Sequence, residues 1–340
     1  MAAKTKRLPV ATRLPENYQF DSPWAALMDR HYGGVTVYAD GLPRTGKTTL
    51  LQRIAREFVG AKNPAHRVFW WGEPRPQYLT FFPDHYQLLV EKDLDIELVR
   101  QWPGQAREEA VPFRAKRDLS TPHDFYAASD AGLLNVLVFN DAERADRVLD
   151  FLDFLNRRPG LEMVEVFIDE TAKIAPGATK REDGSYYRGL RLARALEDTG
   201  KSYVSVYMTS HFPTDLWYVC QHKVQYHVAF AGQHNPKDRH SREAHQALKV
   251  GEFFVTGTTL AGKRFDKGRL DPPPDPGWRL LLRSTYRGRR PGAIAPRAPE
   301  GPDPIRFSCP GCEETFSRRD VLRRHLRSNP EHSIQARPAD

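Results

Sequence analysis

The sequence predicts an α/β fold, a parallel sheet with helices on both faces, and three observations carry that expectation. Apolar, β-branched runs alternate with amphipathic helical ones, the pattern of strands that return through crossover helices. The stretch Val35 to Leu51, VTVYADGLPRTGKTTLL, reads as strand, glycine loop and helix in immediate succession. A later strand, VEVFIDE, closes on two acids, Asp169 and Glu170. In such a sheet the ligand sits beyond the C-terminal ends of the strands.

Of the 340 residues, 51 are Lys or Arg and 43 are Asp or Glu, a formal net charge of +8. That balance favours a polyanionic partner, nucleic acid first and an acidic membrane surface second. The basic, proline-interrupted residues 1–30 form an arm ending in SPWAALMDRHYGG, a short helix before the first strand. The N-terminus lacks the apolar segment of a secretory signal, and no stretch approaches the roughly 20 apolar residues of a membrane span. The expectation is a cytoplasmic protein.

Gly41, Leu42, Pro43, Arg44, Thr45, Gly46, Lys47 and Thr48 fit the P-loop pattern G-x-x-x-x-G-K-[ST] at every fixed position. Such a loop curls backbone N–H groups around the β- and γ-phosphates, and the helix N-terminus adds its positive dipole end. Lys47 then neutralises phosphate charge, the Thr48 hydroxyl holds Mg²⁺, and Thr49 closes the site for ATP. The competing reading, a chance glycine loop, does not account for the strand and helix on its two sides.

The helix that follows, LLQRIAREFV, places Leu50, Ile54 and Phe58 on one side. Asn63-Pro64 breaks it, and RVFWWGEP reads as a second strand. Adjacent tryptophans on a strand point to opposite faces, so at least one of Trp70 and Trp71 belongs to the core; stacking on adenine or on DNA bases stays open for the other. Residues 75–130 hold short apolar runs and the basic segment FRAKRDLSTPHDF. Periodicity leaves them between an insertion and a DNA-facing loop.

LLNVLVFN at 133–140 reads as a buried strand, and ADRVLDFLDFLNRR as a helix ending at Pro159-Gly160. LEMVEVFIDE is the acid-tipped strand. RGLRLARALEDTG is a helix with Gly200 as its stop, and KSYVSVYMTSHFPTDL a strand and turn. Asp169 is expected to reach Mg²⁺ through its water shell, and Glu170 to orient and deprotonate the attacking water. The plainer alternative is a solvent-facing strand cap. His211, at the tip of the last strand, is the candidate γ-phosphate sensor, with Ser210 second; a simple loop histidine is the competing reading.

The order GLPRTGKTT, VFIDE, SHFPTDL, then LKVGEFFVTGTTLAGKRF resembles the FtsK/HerA superfamily of P-loop DNA motors over roughly residues 33–266. The resemblance implies a RecA-like core over residues 31–268. It matches Ser210, Pro213 and Asp215 to the superfamily's sensor turn, with His211 for its glutamine and Phe212 for its arginine. It also matches Leu248, Gly251 and Glu252 to a late hairpin. Arg44-Thr45 replaces the usual Gly-Ser. The arginine that acts on a neighbour's γ-phosphate falls to Arg194 or Arg191, since Glu197 and Asp198 occupy its neighbourhood; a solvated face of Arg188, Arg191 and Arg194 is the alternative. The implied assembly is a hexameric ring threading double-stranded DNA.

The size and the lack of a span are similar to genome-packaging ATPases of tailless, membrane-containing viruses, which implies a capsid or portal partner and a place in the host cytoplasm or virion. The Zot-like assembly ATPases of filamentous phages share a loop proline like Pro43, so an ATPase acting on protein remains open. So does a nucleotide-switched DNA-binding regulator.

Proline, glycine and arginine at 269–305 mark a linker in which WRLLLRSTYRGRR docks on the ATPase domain or on a partner. Three cysteines argue against a disulfide framework. Residues 306–334 match a two-Cys, two-His ββα zinc finger, followed by a tail at 335–340. Cys309, Cys312, His325 and His332 are its Zn²⁺ ligands, and Phe307, Phe316 and Leu322 its small core. His332 follows His325 after a six-residue gap, longer than the usual pattern, with Asn329-Pro330 turning the chain back. Arg318, Val321 and Arg324 are the base-reading positions, Asp320 bracing Arg318, with guanine the natural partner of the arginines. Protein docking is the other use of such a finger.

Overall fold

The computed structural model describes residues 27, 33–59, 66–72, 76–140, 144–160, 162–177, 184–232, 247–257, 268–271 and 276–287 of one unit spanning 1–289. Of a second unit spanning 290–340 it describes residues 307, 308, 312, 315, 316, 325 and 328.

In the first unit the chain runs β1 (Thr36–Asp40), α1 (Lys47–Phe58), β2 (His66–Trp71), a 3₁₀ turn (Gln77–Phe81), β3 (Tyr86–Glu91), β4 (Leu94–Gln101), β5 (Glu108–Ala110) and β6 (Ala115–Leu119). It continues through α2 (Pro122–Ala128), β7 (Leu134–Val138), α3 (Arg144–Arg157), β8 (Met163–Ile168), α4 (Ser185–Asp198), β9 (Val204–Ser210), α5 (Tyr218–Gln221), β10 (Tyr226–Phe230), β11 (Glu252–Gly257), β12 (Gly268–Arg269) and β13 (Arg279–Tyr286).

Ten strands form the main sheet in the order β12-β11-β10-β1-β9-β8-β2-β7-β3-β6. From β10 to β6 every neighbouring pair is parallel, while β11 and β12 are antiparallel. Helix α1 covers one face: Leu50, Leu51, Ile54 and Phe58 pack in a core with Val37, Trp70 and Val228. Helices α3 and α4 cover the other, where Leu149, Leu152, Leu192 and Leu196 meet Phe69, Trp71 and Val166. The expected parallel sheet with helices on both faces is therefore the observed one.

Period-two alternation decides the fate of the two tryptophans. Trp70 enters the α1-side core, stacked 4.5 Å from Tyr78 and 5.4 Å from Phe167, and Trp71 enters the opposite core. At 0% and 2% exposure neither is a platform for a base, which corrects that possibility.

Residues 75–130 are no simple insertion. β3 and β6 extend the main sheet beyond β7, and β4 leaves to form a three-stranded antiparallel sheet with β5 and β13. Lys116 and Arg117 stay exposed on β6, charges that discourage pairing at an open sheet edge. The segment 279–286, placed in the linker by composition, is strand β13, paired to β4 over its whole length and burying Leu280. It therefore packs on the unit that carries the main sheet.

Helix α4 begins at Ser185 and ends at Asp198, and Gly200 lies inside a 3₁₀ turn, Thr199–Ser202, rather than at a helix stop. The left-handed residue that closes this turn is Tyr203, with φ 56°. In the second unit β14 (Phe307–Ser308) and β15 (Thr315–Phe316) pair as an antiparallel hairpin. Among the described residues no helix is long and apolar enough to cross a membrane.

Candidate active site

The connection from β1 through α1 leads to β2, three strands to one side, whereas β10 lies on the other side of β1. This reversal of strand order is where open α/β sheets bind ligands. A cavity of about 360 Å³ lies there, lined by the glycine loop, Asp169, Glu170, Thr209, Ser210, His211, Val250, Gly251 and Leu270.

The loop is held open by its contacts with neighbouring strands. The Gly41 N–H donates to the His211 carbonyl at 3.2 Å, and the Leu42 N–H to Ala231 at 2.8 Å. Gly41 has φ 148°, and a Cβ there would lie 2.6 Å from the Phe230 Cβ. Gly251, before β11, donates to the Thr45 carbonyl at 2.9 Å and accepts from the Leu270 N–H at 2.8 Å, tying the late hairpin to the loop. Its φ is 82°, and a Cβ would meet the Leu270 carbonyl oxygen at 2.3 Å.

Among the described residues no carbonyl accepts from the N–H groups of Arg44 to Thr49. Six successive donors at a helix N-terminus make an anion cradle. Lys47 is buried, and its Nζ donates to the Gly41 and Leu42 carbonyls at 2.7 and 2.8 Å. Burial holds this ammonium below the usual lysine range, against the opposing pull of Asp169, Asp40, Glu170 and Asp215. A buried cation beside unused N–H donors fits a polyphosphate.

The acids are set by β9, which lies between the loop strand β1 and the acid strand β8. The Thr48 hydroxyl faces both Asp169 oxygens, at 3.1 and 3.2 Å. The Thr209 hydroxyl donates to Asp169 Oδ1 at 2.7 Å and accepts from the Glu170 N–H at 3.0 Å. Glu170 takes the left-handed conformation, φ 73°, so its side chain leaves the strand direction that Asp169 continues. The Thr48 hydroxyl beside the Asp169 carboxylate is an all-oxygen donor pair of the kind that Mg²⁺ takes.

His211 Nε2 lies 3.3 Å from Glu170 Oε2, while its Nδ1 is buried without a partner. The turn that carries it is pinned from β1: the Tyr38 hydroxyl bonds Ser210 Oγ and donates to the Phe212 carbonyl at 3.0 Å. Burial, more than any charge, raises the Tyr38 phenol far above its ordinary range, so it stays protonated. Asp215 accepts from the Phe212 N–H at 2.7 Å, closing the turn.

Lys47, Thr48, Asp169, Glu170 and His211 thus share one cavity, with Pro43, Arg44, Gly46 and Thr49 also at its wall. Arg194 does not line it and is exposed on α4. Arg191 donates to Asp150 at 2.7 Å and Asp153 at 2.8 Å, which ties it to α3. The role of Thr209 and the presence of Val250 and Leu270 escape sequence reasoning, because each depends on which strand lies beside which.

In the second unit Cys312 Sγ lies 3.3 Å from His325 Nε2. Cys309, His332, Arg318, Val321 and Arg324 lie outside the described residues. Among the described residues no cluster of three or more metal-binding side chains occurs.

No protein-family profile matches the chain, and no curated protein matches it in sequence. Among solved structures it is similar to the genome-packaging NTPase B204 of Sulfolobus turreted icosahedral virus 2 in complex with ATP-gammaS, at 11% identity and TM-score 0.44, over 68% of this chain and 95% of that one. It is also similar to the N-terminal domain of zonular occludens toxin from Neisseria meningitidis, at 12% identity and TM-score 0.32, over 70% of this chain and 94% of that one. A third similarity is to the cytoplasmic domain of the type VII secretion ATPase EccC of Thermomonospora curvata, at 12% identity and TM-score 0.38, over 72% and 26%.

Proposed function

We propose that the chain hydrolyses ATP at this cavity and uses the cycle to move double-stranded DNA, as a viral genome-packaging motor working in a homo-oligomeric ring. The observation that carries the hydrolytic half is the meeting of Lys47, Thr48, Asp169 and Glu170 around one cavity of about 360 Å³. The net charge of +8 and the FtsK/HerA-like motif order support the DNA half.

In this reading the N–H groups of Arg44 to Thr49 hold the β- and γ-phosphates, and Lys47 turns from the loop carbonyls toward them. Thr48 and Asp169 would hold Mg²⁺, which supplies charge neutralisation between those phosphates when bound. Glu170 orients the attacking water and takes its proton. His211, touching Glu170, senses the γ-phosphate, and Arg194 projects toward a neighbouring subunit's site. The tail is read as a zinc finger in which Cys309, Cys312, His325 and His332 would hold Zn²⁺; the β14–β15 hairpin and the approach of Cys312 to His325 support it. Arg318, Val321 and Arg324 would then face DNA.

The test is ATP turnover with and without linear duplex DNA over a series of salt concentrations, paired with displacement of a third strand from a triplex-bearing duplex. Stimulation and displacement are expected, and Glu170→Gln should keep nucleotide affinity while lowering turnover about 10²–10⁴-fold. Turnover that ignores DNA at every salt concentration would remove the motor and leave an ATPase acting on protein.

A further inference from the structure

A second, smaller cavity of about 130 Å³ opens beside the active site, and the two share Thr49 and Leu270 in their walls. Gln52, Arg53 and Arg56 of helix α1 line it together with Phe81, Arg269 and Asp271. Gln52 is only 6% exposed, and its side-chain carbonyl oxygen is buried without a hydrogen-bond partner. An unmet acceptor in such a place costs free energy unless a donor arrives. The neighbouring Asp271, exposed, is a second acceptor. Arg53, Arg269 and Phe81 add flat surfaces of the kind on which nucleobases stack.

We propose that this cavity is the nucleobase subsite and that Gln52 reads the base by accepting a hydrogen bond from a purine exocyclic amine. The geometry gives the direction. Phosphates at the glycine loop and the α1 N-terminus leave the sugar at Thr49. Gln52 lies one helical turn further on the same helix, about 4.5 Å along its axis. A cavity of about 130 Å³ is on the scale of one base. The proposal rests on the nucleotide reading above and adds what that reading leaves open, the group that tells one triphosphate from another.

Adenine and guanine both carry an exocyclic amine, and the experiment separates them. Binding of four triphosphates in the presence of Mg²⁺ is measured on the full chain by calorimetry: ATP against purine riboside triphosphate, which lacks the 6-amine, and GTP against ITP, which lacks the 2-amine. Inorganic triphosphate is measured alongside. In the wild type one pair should differ at least tenfold, which identifies the amine; in Gln52→Leu that difference should vanish while inorganic triphosphate binds as before. Because Gln52 is buried, Asp271→Ala at the exposed Asp271 is the second variant, which removes that acceptor and is expected to weaken the same amine-bearing nucleotide and not its partner. If neither pair differs in the wild type, or the difference survives in Gln52→Leu, the subsite is overturned. Failure of the underlying reading looks different: inorganic triphosphate would not bind, or Lys47→Ala would not abolish its binding.

Discussion

At the scale of single residues, the hydroxyl of Thr209 decides where both acids point, since it donates to Asp169 and accepts from the backbone of Glu170. Thr209→Val keeps the shape of the side chain and leaves the Glu170 N–H unmet, a loss of about 1–3 kcal/mol. Turnover should fall at least tenfold and the Mg²⁺ requirement should rise, with stability followed in parallel by urea denaturation. A second pair sits just before the loop. The Asp40 carboxylate, fully buried, meets His227 Nε2 at 2.5 Å, and the imidazole stacks on Tyr38. Burial opposes the imidazolium, but the Asp40 charge and hydrogen bond outweigh it and raise His227 above its ordinary value of 6.5. A group raised in the fold contributes stability fully present below its unfolded value and lost as pH climbs through the folded one. The difference in Tm between the wild type and His227→Gln should therefore be widest near pH 6 and should narrow as pH rises; a difference that grows with pH would contradict the pairing. The glycine loop and the paired acids were legible in sequence because local spacing alone defines them. Neither Thr209 as their bridge nor His227 as the partner of Asp40 was, since residues forty and nearly two hundred positions apart meet only through sheet order.

At the scale of elements, the antiparallel pair β11 and β12 flanks the sheet beside β10 and reaches back to the glycine loop through Gly251. Leu248, Gly251 and Glu252 were recognisable as a late motif, yet the purpose of the glycine appears only in its positive φ and its contact with Leu270. Gly251→Ala introduces a side chain where the Leu270 carbonyl already lies and where φ is 82°. It should cost more than about 1 kcal/mol of stability and loosen the loop. The expected result is weaker binding of inorganic triphosphate and faster hydrogen exchange at Thr45 and Gly46; unchanged exchange would show that the hairpin does not brace the loop. β10 itself was not anticipated, because QHKVQYHVAF mixes polar residues into a strand whose burial comes from its position between β1 and β11. The same limit applied to β13, whose proline-rich flanks resemble a linker while its leucines belong against β4.

At the scale of the whole molecule, the ring proposed above is one in which neighbouring copies complete one another's sites. Arg194 stands exposed on α4 with no place in its own cavity, whereas Arg191 is held by two aspartates of α3. Arg194→Ala should leave nucleotide affinity intact and reduce turnover by about 10³–10⁵-fold in the assembled form. Light scattering with an ATP analogue and duplex DNA shows whether that form is present. Equal turnover in Arg194→Ala and wild-type assemblies would return the arginine to the solvated face. What the sequence determined by itself was local: a glycine loop between strand and helix, a strand tipped with acids, a cysteine–histidine tail, and a surplus of positive charge. Their chemistry follows from spacing over a few residues. Only the tertiary structure decided that β9 runs between β1 and β8, that both tryptophans are core, that β13 returns to β4, and that Gln52 faces a second cavity. These facts come from pairings between distant segments, and their register is set by burial across the whole sheet rather than by any stretch of chain.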